Sequence, residues 1–210
     1  MNYIIQKSGI AVYKEKRSEF IAHTFHLNSS VELNDILKLL KVKYPNVHHF
    51  CWAYKIFQND KFVENYSDAG EPNGSAGIPI LNSIRSNQLV NCAIVVVRKF
   101  GGVKLGKKGL INSYQQAADL AIAESGLNQW EQLLRFDLRC DINFYGAITQ
   151  SIEKFGGQII ADSSGKRLKM SVVIKKQDRE AFIKQFNEVS KNSGAIKKQS
   201  EHDQTKEVRK

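Results

Sequence analysis

The sequence predicts an α+β protein of two domains, and three observations support that class. The 210 residues exceed the commonest single-domain size of roughly 100 to 150 residues. Segments with strand-like alternation and segments with helical spacing of apolar residues both occur along the chain. After Gly126 this pattern begins again. We therefore expect one domain at 1–127, a second at 128–202 and a flexible tail at 203–210.

The first domain is predicted to open with two strands, at 3–13 and 20–27, because both segments are rich in Ile, Val, Tyr and Phe. The charged residues between them predict a hairpin connection. Ser29 and Glu32 form an S-x-x-E capping box, which predicts the start of a helix. We expect that helix to stop near Tyr44, since a proline follows it.

In the middle of the first domain, some segments have a regular spacing of apolar residues and others have none. Residues 48–57 predict a strand with one core-facing side, whereas 58–76 follow neither period and predict a long loop. A short helix at 78–87 and a strand buried on both faces at 92–97 come next. A glycine-rich segment then connects this strand to an amphipathic helix, which we expect to end near Gly126.

The second domain has the predicted order β-α-β-β-α, and a final strand completes a ferredoxin-like β-α-β-β-α-β unit. Apolar residues at helical spacing mark its two helices. The predicted strands lie at 133–142, 158–161, 168–174 and 195–199. The core face of the first helix carries Ile148, Ile152 and Phe155, and that of the second helix carries Phe182, Phe186 and Val189.

The charge of the chain favours a polyanionic partner. Against 21 Asp and Glu stand 31 Lys and Arg, which gives a formal net charge of +10. Residues 1–127 and 128–210 each carry +5, so no single basic tail accounts for the excess. The alternative is that the lysines are scattered and only solubilise the protein. No apolar run approaches the roughly 20 residues of a membrane span, and the N-terminus lacks a signal-peptide layout, so we expect no membrane partner.

A glycine-rich cationic loop is the most informative segment of the chain. Glycine lets main-chain N–H groups approach an anion, and the helix that follows adds its positive dipole end. This combination predicts a phosphate-binding surface; the alternative is that the glycines only turn the chain and the lysines are solvated. The predicted binding residues are Arg98, Lys99, Gly101, Gly102, Lys104, Gly106, Lys107, Lys108 and Gly109.

Part of this loop matches a nucleotide-binding P-loop. Gly101, Gly106 and Lys107 fit the pattern G-x-x-x-x-G-K between a strand and a helix. The next residue is Lys108, where a P-loop needs Ser or Thr to ligate magnesium. We therefore do not favour an NTPase.

A second candidate segment is the polar turn around two carboxylates, Asp68 and Glu71. Paired carboxylates can bind a divalent ion or act as acid and base. The alternative, which we favour, is that Asp68 accepts hydrogen bonds from turn amides and Glu71 forms an ion pair with nearby cations. We treat the segment as a candidate functional loop, and we assign no catalytic residue and no metal ligand in it. Its residues are Asp68, Gly70, Glu71, Pro72, Gly74 and Gly77.

The histidines and cysteines give a weaker signal. His49 and Cys51 share one face of the strand at 48–57, which leaves a metal site or a cysteine nucleophile as alternatives. Two ligands do not make a zinc site. The three cysteines are an odd number at wide spacing with no C-x-x-C, which argues against a disulfide framework. We therefore expect a reducing, cytoplasmic setting, no metal and no cofactor.

Four segments together resemble the IMPACT/YigZ family: SEF at 18–20, HHFCWAY at 48–54, SDAGEPNGSAGIPIL at 67–81 and VVVRKFGGVKLGKKGLINSY at 95–114. The resemblance implies that the first domain is an α/β sandwich similar to domain IV of elongation factor G, with the ribosomal protein S5 domain 2-like fold. It implies that the second is similar to the ferredoxin-like domain V of that factor. Ancestry near the translation apparatus follows, and the resemblance supplies no catalytic residue.

The chain departs from the family pattern at three positions. Ala69 stands where the family usually has a second Asp, Lys99 where it has an aromatic residue and Lys108 where it has Gly. The first change weakens a carboxylate metal site. The other two add positive charge to the glycine-rich loop, which favours anion binding.

We expect a non-enzymatic, translation-related protein that binds RNA or the ribosome through the basic loop, with a role in regulating translation. The expected oligomeric state is a monomer or a weak oligomer. One alternative is a protein-interaction module in which the loop from Asp68 to Gly77 docks a regulatory partner. Another is an enzyme for a small phosphorylated or peptide substrate that uses Asp68, Glu71 and His49.

Overall fold

The computed structural model describes residues 1 to 199, and the chain divides into two units between Trp130 and Glu131. Each unit combines helices with antiparallel sheet, which confirms the α+β class. The tail predicted at 203–210 lies outside the described residues. Within the described range, none of the helices combines the length and the apolar character that a bilayer span requires.

The first unit contains seven strands and three helices within its described residues. A five-stranded sheet has the order β2-β3-β6-β4-β5, and β1 pairs separately with β7. The elements are β1 (Tyr3–Lys7), β2 (Ile10–Glu15), β3 (Ser18–His26), α1 (Glu32–Lys43), β4 (His49–Gln58), β5 (Lys61–Ser67), α2 (Gly77–Ser86), β6 (Cys92–Lys99), α3 (Gly106–Ala123) and β7 (Gly126–Gln129).

The central strand β6 is buried on both faces, as its unbroken apolar sequence predicts. Val95 and Val97 belong to the core that the sheet forms with α1. Ile94 and Val96 belong to the core formed with α2 and α3. Since helices cover both faces of the sheet, β6 emerges from the core only at its end, where the glycine-rich loop begins.

Strand β4 is buried from both sides as well. Phe50 and Ile56 pack in the core beneath α1, on the side that the alternation predicts. The opposite side carries Cys51 and Ala53, which are fully buried beneath α2 and α3. This placement turns the Cys51 thiol towards α3 rather than towards solvent.

The segment predicted as one strand at 3–13 is two strands, β1 and β2, in different sheets. The break falls at Gly9, where the main chain passes so close to α3 that an added Cβ would lie 2.1 Å from the carbonyl oxygen of Ala121. The Gly9 amide donates a hydrogen bond to the Thr24 hydroxyl. The two strands are separated because the chain at Gly9 packs closely against α3, which is far away in the sequence. The pattern of apolar residues gives no sign of such a contact.

The segment predicted as a loop at 58–76 contains strand β5, which pairs with β4. The hairpin turn consists of Asn59 and Asp60, both with left-handed backbone. Most side chains of β5 are exposed, so its place in the sheet rests on backbone pairing and not on an apolar face. Helix α3 also ends before the predicted stop at Gly126, which instead begins β7.

The second unit confirms the ferredoxin-like arrangement. Its sheet has the order β11-β8-β10-β9, all neighbours antiparallel, and two helices contribute to one core with that sheet. The elements are β8 (Leu133–Asp141), α4 (Tyr145–Lys154), β9 (Gln158–Asp162), β10 (Arg167–Lys175), α5 (Arg179–Val189) and β11 (Ala195–Lys198).

Candidate nucleic-acid interface

A buried carboxylate joins the two segments that the sequence singles out. Glu71 Oε1 accepts a hydrogen bond from Arg98 Nη1 at 2.7 Å and another from the Tyr114 hydroxyl at 2.9 Å. The side chains of Glu71 and Arg98 are 4% and 7% exposed. Arg98 lies near the end of β6 and Tyr114 is fully buried in α3. One carboxylate therefore connects the central strand and the helix to the loop from Asp68 to Gly77, which we call the carboxylate loop.

Arg98 belongs to the interior of the first unit. Its guanidinium lies 5.4 Å and 5.3 Å from the ring centroids of Phe20 and Phe100, and Nη2 donates to the Ser18 hydroxyl at 3.4 Å. A buried guanidinium needs its partner carboxylate, because an unpaired charge there is strongly destabilising. Arg98 therefore differs from the exposed phosphate-binding cation that the sequence predicts.

His49 and Cys51 contact the backbone of the carboxylate loop. The Cys51 sulfur lies 3.0 Å from the Asp68 carbonyl oxygen and 3.2 Å from the Tyr114 hydroxyl, to which the thiol donates. The His49 Nδ1 lies 3.0 Å from the Ala69 carbonyl oxygen. Burial raises the pKa of Cys51 to about 12, so the thiol stays protonated at neutral pH. The arrangement therefore supplies no thiolate for the nucleophile that the sequence left open.

Asp68 caps the start of α2. Its carboxylate accepts hydrogen bonds of 2.9 Å from the amides of Gly74, Ala76 and Gly77. Burial on its own raises the pKa of Asp68, but these three bonds and the charge of Lys107 outweigh it, and the net pKa lies below its ordinary value. These contacts are the ones expected if Asp68 accepts hydrogen bonds from turn amides, the alternative favoured from the sequence.

Both carboxylates of the loop are thus occupied by the protein itself. Asp68 bonds to backbone amides and Glu71 to Arg98, the kinds of partner that the favoured alternative names. Across residues 1 to 199, no three His, Cys, Asp or Glu side chains gather in a group that could hold a metal ion. The geometry gives no support to acid–base or metal chemistry at this turn.

The glycines of the carboxylate loop fit a fixed backbone. An added Cβ at Gly77 would lie 2.9 Å from the main chain of Ser67, so the start of α2 packs directly against the end of β5. Gly70 and Gly74 have φ of +87° and +71°. The Pro72 carbonyl accepts hydrogen bonds from the amide and the hydroxyl of Ser75. The loop is therefore anchored along its length, with Gly70 and Pro72 exposed at its apex.

The glycines of the glycine-rich cationic loop at 98–109, also called the basic loop, allow its backbone conformation and its close packing. Gly101 lies against the turn between β2 and β3, where an added Cβ would meet the Arg17 carbonyl group at 2.1 Å. Its amide donates to the Ser18 hydroxyl at 3.3 Å. Gly102 and Gly106 have φ of +83° and +70°, a region that residues with a side chain rarely adopt. Gly109 lies within the first turn of α3.

The lysines of the basic loop form two groups. Lys104, Lys107 and Lys108 are exposed, and none of their ammonium groups forms an ion pair or hydrogen bond with any residue from 1 to 199. We call these three residues the lysine cluster. Lys99 is different, because its ammonium lies 3.6 Å from a Glu19 carboxylate oxygen and 6.0 Å from the centroid of the Tyr44 ring.

Two members of the lysine cluster stand where a helix disfavours cations. Lys107 and Lys108 occupy the first turn of α3, which contains no acidic residue and has no side-chain hydrogen bond at its N-cap. The N-terminus of a helix carries partial positive charge and unpaired amides, so cations there repel the dipole and anions are favoured. The first turn of α3 therefore contains no acidic side chain to balance these cations, although the charge of Lys107 also acts on Asp68.

A groove of about 600 Å³ opens beside the end of β6, and sequence reasoning missed it. No acidic residue lines it. Two features of the sequence could have indicated the groove: the aromatic residue in the cationic run RKF at 98–100, and the Lys-Tyr pair at the end of α1. Only the tertiary structure shows that these two segments lie side by side. The lining includes Lys43, Tyr44, His48, His49, Lys99 and Phe100.

The fold and this surface define a class: two-unit α+β proteins whose first unit combines an anchored carboxylate loop, a glycine-shaped cationic loop and a cationic groove. The family model of the Impact N-terminal domain matches residues 16–122. The chain belongs to the IMPACT family.

Relatives span both units. An IMPACT family member of Haemophilus influenzae is 31% identical, over 92% of this chain and 94% of the relative. The IMPACT family member YigZ of Escherichia coli is 26% identical, over 76% of this chain and 79% of its own length. A crystal structure of a hypothetical protein aligns with a TM-score of 0.69 and 23% identity, over 95% of this chain and 97% of that one. The two-unit fold is thus shared with a solved structure.

Proposed function

We propose that the protein binds RNA, with the ribosome as its setting, through contacts between the lysine cluster and phosphate groups. The observation that carries this proposal is that the ammonium groups of Lys104, Lys107 and Lys108 form no direct ion pair with a carboxylate of the described residues, although the charge of Lys107 also acts on Asp68. An RNA phosphate would pair with the lysines and with the amides at the start of α3 at once. Contacts of this kind position an RNA without reading its sequence.

The wider molecule supports a polyanionic ligand. The net charge of +10 is divided evenly between residues 1–127 and 128–210, so attraction of a polyanion is not confined to one end of the chain. The family resemblance implies that both domains are similar to parts of elongation factor G, and on that expectation we propose ribosomal RNA as the class of RNA. A role in regulating translation would follow from occupancy of that site.

The test is binding to ribosomes and to purified ribosomal RNA over a series of salt concentrations. For contacts with phosphates, the logarithm of the association constant falls linearly with the logarithm of salt concentration, with a slope of about −0.7 to −0.9 per contact. Replacing Lys104, Lys107 and Lys108 together with Ala should reduce the magnitude of that slope by about 2 to 3. The matched control replaces three exposed lysines of the second unit, Lys154, Lys166 and Lys184.

The two triple variants lose the same charge, so they separate a local site from general attraction. A slope reduced equally by both variants would reject the lysine cluster as the site. Binding that does not depend on salt would reject phosphate contacts altogether.

A protein partner is the second candidate, and the anchored carboxylate loop favours it. Gly70, Pro72 and Asn73 are exposed at the apex of a backbone that hydrogen bonds hold in place. An exposed loop with a fixed backbone can be recognised at low entropic cost. Capture of a partner that survives nuclease treatment and is lost in Pro72→Ala with Asn73→Ala would support this function over RNA binding.

A further inference from the structure

The groove at the end of β6 combines cations with aromatic rings. Lys43, His48, Lys99 and Phe100 line it and are exposed. None of the residues that line the groove is acidic, although Glu19 lies 3.6 Å from Lys99. A groove of this composition is complementary to an anionic ligand that also offers a flat apolar face.

Phe100 is an exposed aromatic residue in the lining of this groove. It is 57% exposed, in the loop immediately after β6. Single exposed apolar residues are common on proteins and carry little information alone. Phe100 differs because its ring lies 5.3 Å from the guanidinium of Arg98, which Glu71 and Ser18 hold in place. The Phe100 ring therefore packs against a guanidinium group whose position is fixed by hydrogen bonds.

Tyr44 provides a second aromatic ring in the same groove, and it is also fixed. Its hydroxyl lies 2.9 Å from His23 Nε2, a buried nitrogen. The ammonium groups of Lys43 and Lys99 lie 5.6 Å and 6.0 Å from the centroid of its ring. The groove thus presents ordered aromatic rings with cations beside them, which is the composition of surfaces that bind single-stranded nucleic acid.

We infer that the groove takes unpaired bases, so that the RNA bound by this protein is single-stranded where it passes β6. A base stacks on Phe100, and Lys43 and Lys99 contact the phosphates on either side of it. The inference rests on the proposed RNA-binding function and assigns the class of RNA. Phe100 and Lys104 are four residues apart, so their Cα atoms are at most about 15 Å apart and one short strand reaches both.

A duplex does not use this groove. Bases in an A-form helix are stacked on one another and present only their edges and the backbone to a protein. A duplex can therefore contact the lysine cluster but cannot place a base on Phe100. Binding of single strands and duplexes should consequently respond differently to substitution of this ring.

The experiment measures fluorescence anisotropy of a labelled 12-nucleotide oligoadenylate and of a labelled 12-base-pair RNA duplex with the full chain. Phe100→Ala should weaken binding of the single strand about tenfold or more and change binding of the duplex less than twofold. The salt dependence of single-strand binding should not change, because the phosphate contacts remain. Val103→Ala is the matched control, since Val103 is a partly exposed apolar residue of the same loop.

A second readout tests stacking directly. A single strand that contains 2-aminopurine should lose fluorescence when it binds the wild-type protein and lose less of it with Phe100→Ala. Equal single-strand affinities of Phe100→Ala and wild type would overturn the inference, while loss of binding in the lysine-cluster variant would still support the proposed function. No binding of either RNA by the wild type would reject both.

Competition experiments separate the other occupants. Displacement of the single strand by adenosine monophosphate, as effectively per nucleotide as by unlabelled strand, would assign the groove to free nucleotides and overturn the inference. Displacement by polyglutamate that depends on Phe100 would assign it to an acidic protein segment, with the same consequence.

Discussion

At the scale of single residues, the pair of Glu71 and Arg98 is the most sensitive point of the first unit. Glu71→Gln keeps the shape of the side chain but leaves the buried guanidinium without its counter-charge. We expect the free energy of unfolding to fall by about 3 kcal/mol, measured by urea denaturation. The matched control is Glu64→Gln, which breaks the more exposed pair with Arg85 and the longer, 3.8 Å contact with Lys55, and should cost at most about 1 kcal/mol.

Equal costs for the two substitutions would contradict the special role of the buried pair. The double variant Glu71→Gln with Arg98→Met gives a further check. Because it removes the unpaired charge, it should be more stable than Glu71→Gln alone.

The chemistry of these residues was easier to predict than their partners. The sequence anticipates that Asp68 bonds to turn amides, because the bonded amides lie within nine positions of it. It also anticipates an ion pair for Glu71. It cannot name Arg98 or Tyr114, which lie 27 and 43 positions away and meet Glu71 only because β6 and α3 are neighbours in the fold. For the same reason the sequence assigns Arg98 to the surface.

At the scale of elements, helix α3 carries a cost that RNA binding would relieve. Replacing Lys107 and Lys108 with Ala removes two cations from the positive end of the helix and introduces the best helix former. Loss of the attraction between Lys107 and Asp68 offsets part of this gain, so we expect the free energy of unfolding to rise by at most about 1 kcal/mol while RNA binding weakens. Thermal denaturation and filter binding of the same preparation measure both quantities.

The control for this prediction uses the opposite end of another helix. Lys41 lies in the last turn of α1, where a cation is favourable, so Lys41→Ala should leave stability unchanged or slightly lower it. A loss of stability in the α3 variant would show that its lysines support the fold and would remove the electrostatic argument for a bound anion.

Elements with a strong apolar pattern were predictable, and elements held by the backbone were not. The run from Cys92 to Val97 predicts a strand buried on both faces, and β6 confirms it. Strand β5 has mostly exposed side chains and gives no such pattern. The turn between β2 and β3 lies where the charged segment predicts a hairpin, although its left-handed residues are Lys16 and Arg17 and not the Asn or Gly that such turns favour. Its geometry follows from pairing of the strands.

At the scale of the whole molecule, the two units differ in how acid affects them. Burial, aided by the charge of Lys43, lowers the pKa of His23 in the first unit from 6.5 to about 4. In the second unit, burial on its own raises the pKa of Asp137, but hydrogen bonds from Ser171 and Gln199 and the charges of two arginines outweigh it and lower the pKa. The first shift acts at a higher pH than the second.

The sign of each shift predicts which of the two contributions is lost first as the pH falls. Between pH 6.5 and about 4 the unfolded chain binds a proton at His23 that the folded first unit does not, so stability falls as the pH falls through that window. The contribution of Asp137 is present above its ordinary pKa of 3.8 and is lost only below that value. We therefore expect the first unit to unfold at a higher pH than the second.

Tryptophan fluorescence isolates the first unit, because Trp52 and Trp130 are the two tryptophans of the chain and both lie in it. On acid titration the fluorescence change should precede the last part of the loss of circular dichroism. His23→Gln should move the fluorescence midpoint to lower pH, whereas His26→Gln, at an exposed histidine of the same strand, should not. Coincident transitions that neither variant shifts would contradict this order, since the protonation of His23 would then not govern the acid stability of the first unit.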